Sequence, residues 1–193
     1  MKKIVEHMRK NEIVFSGGLS DLALAELEKI YHISFPEVLK VFYQLGVPRQ
    51  AGFIQWQDTS RENREIIEEL IARPELLTRR IITNYPDEII WNQRAWGSQP
   101  ETLLEQQQIL YQQLERAPKL LPFYGNFYLP ESSEENLPVI QVAGGEISIK
   151  ENFADFLEIH FTHSKELSEK GKRKATEVTF WSDFRLKAET EES

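Results

Sequence analysis

His160, His163 and Glu166 form the one grouping whose types and spacing offer metal chemistry. Two imidazoles three residues apart share a helix face, and a carboxylate follows about one turn later, the composition of a two-histidine, one-carboxylate site. The same pair falls where a helix should end, and there partly charged histidines complement the negative pole of the helix dipole. That placement outweighs the metal reading, so no metal and no cofactor is assigned. His7 and His32 are isolated. Gly17-Gly18 and Gly144-Gly145 lack the G-x-G-x-x-G and G-x-x-x-x-G-K-[ST] frames that cradle phosphates, and no G-x-S-x-G elbow occurs. Carboxylates are plentiful, but no spacing singles out an acid and a base. No catalytic residue is assigned, and the chain is expected not to be an enzyme.

What remains is charge suited to binding. Glu131, Glu134 and Glu135 cluster in the loop Pro130-Glu131-Ser132-Ser133-Glu134-Glu135-Asn136. With Asp58 and Glu146 they would make an acidic rim for a basic protein surface, where complementary charge speeds encounter and sets register. Trp56 and Tyr128 are expected to supply the aromatic part of that face. The bland alternative is a loop that is merely solvated.

Net charge is −8, from 31 acidic and 23 basic side chains. Residues 164–193 hold seven of each sign, so the whole excess lies in residues 1–163. This argues against a nucleic-acid partner, whose phosphates call for a basic surface. The absence of cysteine removes disulfides, thiol nucleophiles and thiolate metal sites together, and fits a reducing cytoplasm. Met1-Lys2-Lys3-Ile4-Val5-Glu6-His7 has no sustained apolar run behind it, so neither a signal peptide nor a membrane span is expected, and the predicted location is cytoplasmic. A chain of 193 residues buries about 70% of its unfolded surface. One domain over 1–163 is predicted, followed by a charged, partly flexible tail over 164–193.

The elements that must position these residues centre on a meander. Leu120-Leu121-Pro122-Phe123-Tyr124 and Phe127-Tyr128-Leu129 flank Gly125-Asn126, which suits a II′ turn; Pro138 to Val142 and Glu146 to Ile149 flank Gly144-Gly145, which suits I′. Phe123, Tyr124, Val139, Val142, Ile147 and Ile149 are expected to hold the sheet to helices. After a frayed start, Ser20 is placed as a helix N-cap with Leu19 and Leu24 as a staple, and Ser34-Phe35-Pro36-Glu37 reads as a capping box opening a second helix that ends at Gly46. Gly52 to Trp56 reads as a first strand. Residues 60–116 are mostly helical: Ile66, Ile67, Leu70 and Ile71 share a face before Pro74 stops the helix, and Ser98-Gln99-Pro100-Glu101 opens another reaching Arg116. Trp91 and Trp96 read as core. Asn152 caps a helix whose stripe is Phe153, Phe156, Leu157 and Phe161. Beyond it, Lys170 to Lys174 is a basic link, Phe180, Trp181 and Phe184 can dock back, and Glu189 to Ser193 is a disordered end. The fold class is therefore α+β: an antiparallel sheet of about four to six strands with helices packed against it, an N-terminal helix pair and a helical insertion over 60–116.

In that order the features resemble the SUKH superfamily. The residues are Leu27-Glu28-Lys29-Ile30-Tyr31, Phe35-Pro36, Leu39, Phe42-Tyr43 and Gly46, then Trp56, then Leu121-Pro122-Phe123-Tyr124-Gly125 with Tyr128-Leu129-Pro130, Pro138-Val139, and Asn152-Phe153-Ala154-Asp155-Phe156-Leu157. The resemblance spans roughly residues 20–161. It implies an α+β binding domain without catalytic residues. The superfamily groups a fungal cell-wall-synthesis regulator with bacterial immunity proteins thought to neutralise toxins, often nucleases. The expected partner is then a cognate toxin domain, held by the acidic face. The alternative is a regulatory or scaffolding module docking through Phe180, Trp181 and Phe184.

Overall fold

The computed structural model describes residues 1–162 and 174–187. His163, Glu166, the basic run up to Arg173 and the acidic end from Glu189 lie outside the described residues, and so do the metal and linker readings that rest on them.

The predicted meander is present: β1 (Leu120–Tyr124), β2 (Phe127–Pro130), β3 (Pro138–Ala143) and β4 (Glu146–Asn152) form an antiparallel sheet in that order. Its turns behave as their residues require. Gly125 sits at φ 52, and Gly144 and Gly145 take φ 61 and 86, a pair of left-handed positions that only glycines fill without strain. Pro122 is tolerated because β1 is an edge strand, and Pro138 because it is the first residue of β3.

Alternation along the strands then splits the core in two. Leu121, Phe123, Leu129 and Val139 point to one face of the sheet, and Leu120, Tyr128, Ile140 and Val142 to the other. The first face is covered by α1 (Lys2–Lys10), α2 (Asp21–Tyr31), α3 (Glu37–Leu45) and α7 (Phe153–Phe161). The second is covered by the end of α4 (Arg61–Asn84), the short α5 (Gln93–Trp96), α6 (Leu103–Arg116) and residues 178–184. The fold is α+β, with helices on both faces of four antiparallel strands. Ile149 is the exception among the predicted core residues of the sheet, since it is exposed.

The caps at Ser20 and Asn152 are as expected: Ser20 Oγ accepts the Ala23 amide at 3.1 Å, and Asn152 Oδ1 that of Asp155 at 3.0 Å. Four other expectations are corrected. Residues 2–10 are not frayed but form α1, because Ile4, Val5 and Met8 recur on a buried face. Gly52 to Trp56 is not a strand. Only Phe53 bridges to Tyr124, and the run is apolar because Phe53, Ile54 and Trp56 fill the core.

Pro74 does not end α4. Ile67 anchors the half before it to the first core and Ile81 and Ile82 anchor the half after it to the second, so tertiary contacts on both sides outweigh a defect of about 3 kcal/mol. The helix boundaries also shift. At α6 the N-cap is Thr102, whose Oγ accepts the Glu105 amide at 3.3 Å and donates to the Glu105 carboxylate at 2.7 Å, a side-chain cap four residues beyond the Ser98 frame. At α3 the helix begins only after Pro36; the Ser34 amide donates to Glu131 Oε1 at 2.6 Å and the Phe35 amide to Glu28 Oε1 at 2.8 Å, so carboxylates from elsewhere take the place predicted for Glu37.

Candidate protein-binding surface

The seven residues expected to meet a partner fall into three kinds of position. Trp56 and Tyr128 are core. Trp56 is 0% exposed, its indole N–H donates to the Tyr43 hydroxyl at 3.0 Å, and Tyr31 and Phe35 pack edge-on to it with ring centroids at 5.5 and 4.9 Å. Burial raises the Tyr43 phenol far above its ordinary pKa, so it stays a neutral acceptor. Tyr128 is likewise 0% exposed, and its hydroxyl finds no partner among the described residues. Burial raises its pKa too, with Arg73 pulling it down and Glu69 up. Neither ring reaches a surface, because the strand and corner that carry them face the two cores. The orphaned hydroxyl makes a prediction: Tyr128→Phe should raise stability by about 1 kcal/mol, seen as a higher urea midpoint with no change in m-value.

Asp58 and Glu146 are exposed and belong to other parts of the chain than the acidic loop. Asp58 precedes the Ser60 cap of α4: its Oδ1 accepts the Ser60 amide at 2.9 Å and its carbonyl the Asn63 amide group at 2.7 Å. The hydrogen bonds from Ser60 lower its pKa. Glu146 stands at the β3–β4 turn, the length of β3, roughly 20 Å, from the β2–β3 loop. There it shares a hollow with Glu88, Arg80 and Lys187, two acids against two bases, so its surroundings are mixed in charge and not an acidic rim.

The loop itself does present charge. Glu134 and Glu135 are exposed, while Glu131 is half-buried and spends one oxygen on the Ser34 amide. The loop is tied down on its other side, where Thr176 donates its hydroxyl to the Glu135 carbonyl and its amide to the Asn136 carbonyl at 3.1 Å. Between loop and segment lies an open hollow of about 770 Å³, lined among the described residues by Glu131, Glu134, Glu177 and Lys174. Sequence reasoning missed Glu177, which is far from the loop along the chain and carries no local signal; only the fold brings it there.

No family model, curated protein or solved structure matches the chain. The functional reading therefore stands on the residues themselves. Among the described residues no group of three His, Asp or Glu side chains is placed to hold a metal ion, and no helix is long and apolar enough to cross a membrane. His160 lies 3.5 Å from a Glu151 carboxylate oxygen and packs against Phe156 with ring centroids at 4.2 Å. The surface features with the clearest chemical character are thus the acidic hollow and the clefts between helices.

Proposed function

We propose that the chain is a cytoplasmic immunity protein of the SUKH kind, which binds and neutralises a basic toxin domain, such as a nuclease, without chemistry of its own. One observation carries this reading. Tyr128 apart, the large apolar residues quoted for the resemblance, from Leu27 through Phe35, Leu39, Phe42, Tyr43 and Trp56 to Leu121, Phe123, Leu129, Val139, Phe153, Phe156 and Leu157, converge on one buried core although they are spread over more than a hundred residues. A shared core in shared order supports a shared scaffold, and the acidic hollow beside the β2–β3 loop supports a basic partner.

The scaffolding alternative loses its docking strip. Phe180, Trp181 and Phe184 are 1%, 3% and 2% exposed and would have to leave the second core to meet a partner.

Co-expression with the toxin domain encoded beside this chain should restore growth, and the two should co-purify with an association rate that falls steeply with salt. A soluble, folded chain that neither rescues nor co-purifies overturns the proposal.

A further inference from the structure

A cleft of about 280 Å³ opens between the end of α2, the middle of α4 and the α6–β1 corner. Its apolar lining includes Ile71, Ala72, Leu114, Leu120 and Trp181. Its polar lining is mostly acceptor. Tyr31 is 7% exposed and lines this cleft, and its hydroxyl has no hydrogen-bond partner among the described residues. Glu68 is exposed and has no ion-pair partner among the described residues; Glu75 shares its charge with Arg79 at 2.8 Å. Of the cations, Lys119 turns its ammonium to the His32 carbonyl at 2.6 Å, while Arg64 stands near Tyr31 on the outer turn of α4. Burial raises the pKa of the Tyr31 phenol; Arg64 lowers it, and Glu68 and Asp58 raise it.

An apolar slot with a free carboxylate and a free hydroxyl fits one kind of group: a long aliphatic stem ending in a cationic hydrogen-bond donor. We infer that the cleft receives a single lysine or arginine side chain from the partner, its stem against Ile71, Leu114 and Leu120 and its charge on Glu68 and the Tyr31 hydroxyl. This rests on the reading of a basic protein partner and gives that partner an anchor, since a buried basic side chain in a fitted pocket is the type of contact that dominates interface energetics.

Two measurements on the full chain test it. In amide NMR spectra, n-butylguanidinium should shift the resonances of Tyr31, Ala72 and Lys119, n-butanol should leave them in place, and Glu68→Gln should abolish the response. Shifts elsewhere, or equal shifts in the Glu68→Gln chain, overturn the proposal. Against the neighbouring toxin domain, Glu68→Gln and Ala72→Trp, which fills the slot from an exposed helix position, should each weaken binding roughly 10- to 100-fold with thermal stability unchanged. If the wild type binds the domain and both variants bind it equally well, the cleft proposal fails and the immunity reading stands. If the wild type does not bind it, the immunity reading fails, and the butylguanidinium result still decides the cleft.

Discussion

Replacing Trp181 with alanine is expected to lower the unfolding free energy by about 3–5 kcal/mol, the range for truncating a buried tryptophan. Trp181 is 3% exposed, its indole N–H donates to the Pro118 carbonyl at 2.7 Å, and its ring meets Phe180 edge-on with centroids 5.3 Å apart. The substitution removes the ring's packing and leaves the Pro118 carbonyl without that donor, so two costs add at one site.

Phe180 shows how firmly the segment is held: it sits at φ 67, a left-handed conformation that a bulky residue adopts only when its surroundings insist, and its ring is 1% exposed. Ending the chain at residue 173 is the stronger form of the experiment. It strips Val178, Phe180, Trp181 and Phe184 from the second core and uncovers Ile81, Ile82, Leu114, Ile140 and Val142. Loss of cooperative urea unfolding, weaker near-UV circular dichroism and binding of a hydrophobic dye should follow. A truncated chain with the wild-type urea midpoint would show that these aromatics contribute nothing to the core. The consequence for function is direct: a truncation that abolishes toxin protection cannot be read as loss of a contact surface, because it removes one of the four segments that cover one face of the sheet.

The parts of this fold legible in the sequence are those in which one local signal has one physical solution. Gly144-Gly145 can serve a I′ turn because both residues accept positive φ, and β3 and β4 on either side need no tertiary information to pair. Asn152 followed by an apolar stripe has a single frame, and the helix starts where expected. The failures fall where a signal has several solutions. Ser98-x-x-Glu101 and Thr102-x-x-Glu105 are equally good capping boxes four residues apart, and packing against α4 and α5 rather than propensity selects the second. Pro74 is a helix breaker in isolation and is overruled by the cores gripped on each side of it. The segment 174–187 looks like tail in composition; its aromatics are legible, but what they would cover is not.

Surface roles are less legible in the sequence than the fold, for one reason. An aromatic residue bound for an interface and one bound for the core are the same residue in sequence, and burial decides between them. Trp56 and Tyr128 were expected at the surface and are wholly enclosed. Glu131, expected to meet a partner, is half committed to the Ser34 amide. Conversely, Glu68 and Tyr31 gave no sign: Glu68 looks like Glu65 and Glu69 on the same charged helix, and Tyr31 belongs to an apolar stripe. Only the apposition of α2, α4 and the α6–β1 corner sets them apart.

Trp56→Ala separates the two kinds of role most sharply. A contact residue truncated to alanine leaves stability alone and weakens binding; a core residue does the reverse. With the indole 0% exposed, wedged between Tyr31 and Phe35 and donating to a Tyr43 hydroxyl that is itself fully enclosed, the expected cost is about 3–5 kcal/mol of stability. Trp56→Phe should recover most of the packing but not the hydrogen bond, leaving a smaller deficit of about 1–2 kcal/mol from the unpaired Tyr43 hydroxyl. Urea titration followed by near-UV circular dichroism measures both. Toxin-domain affinity, corrected for the folded fraction, should stay within about twofold of wild type for Trp56→Phe, because a side chain that no solvent reaches transmits to a partner only through the fold it supports. A Trp56→Phe chain with wild-type stability and weakened binding would return Trp56 to the surface and displace the buried assignment.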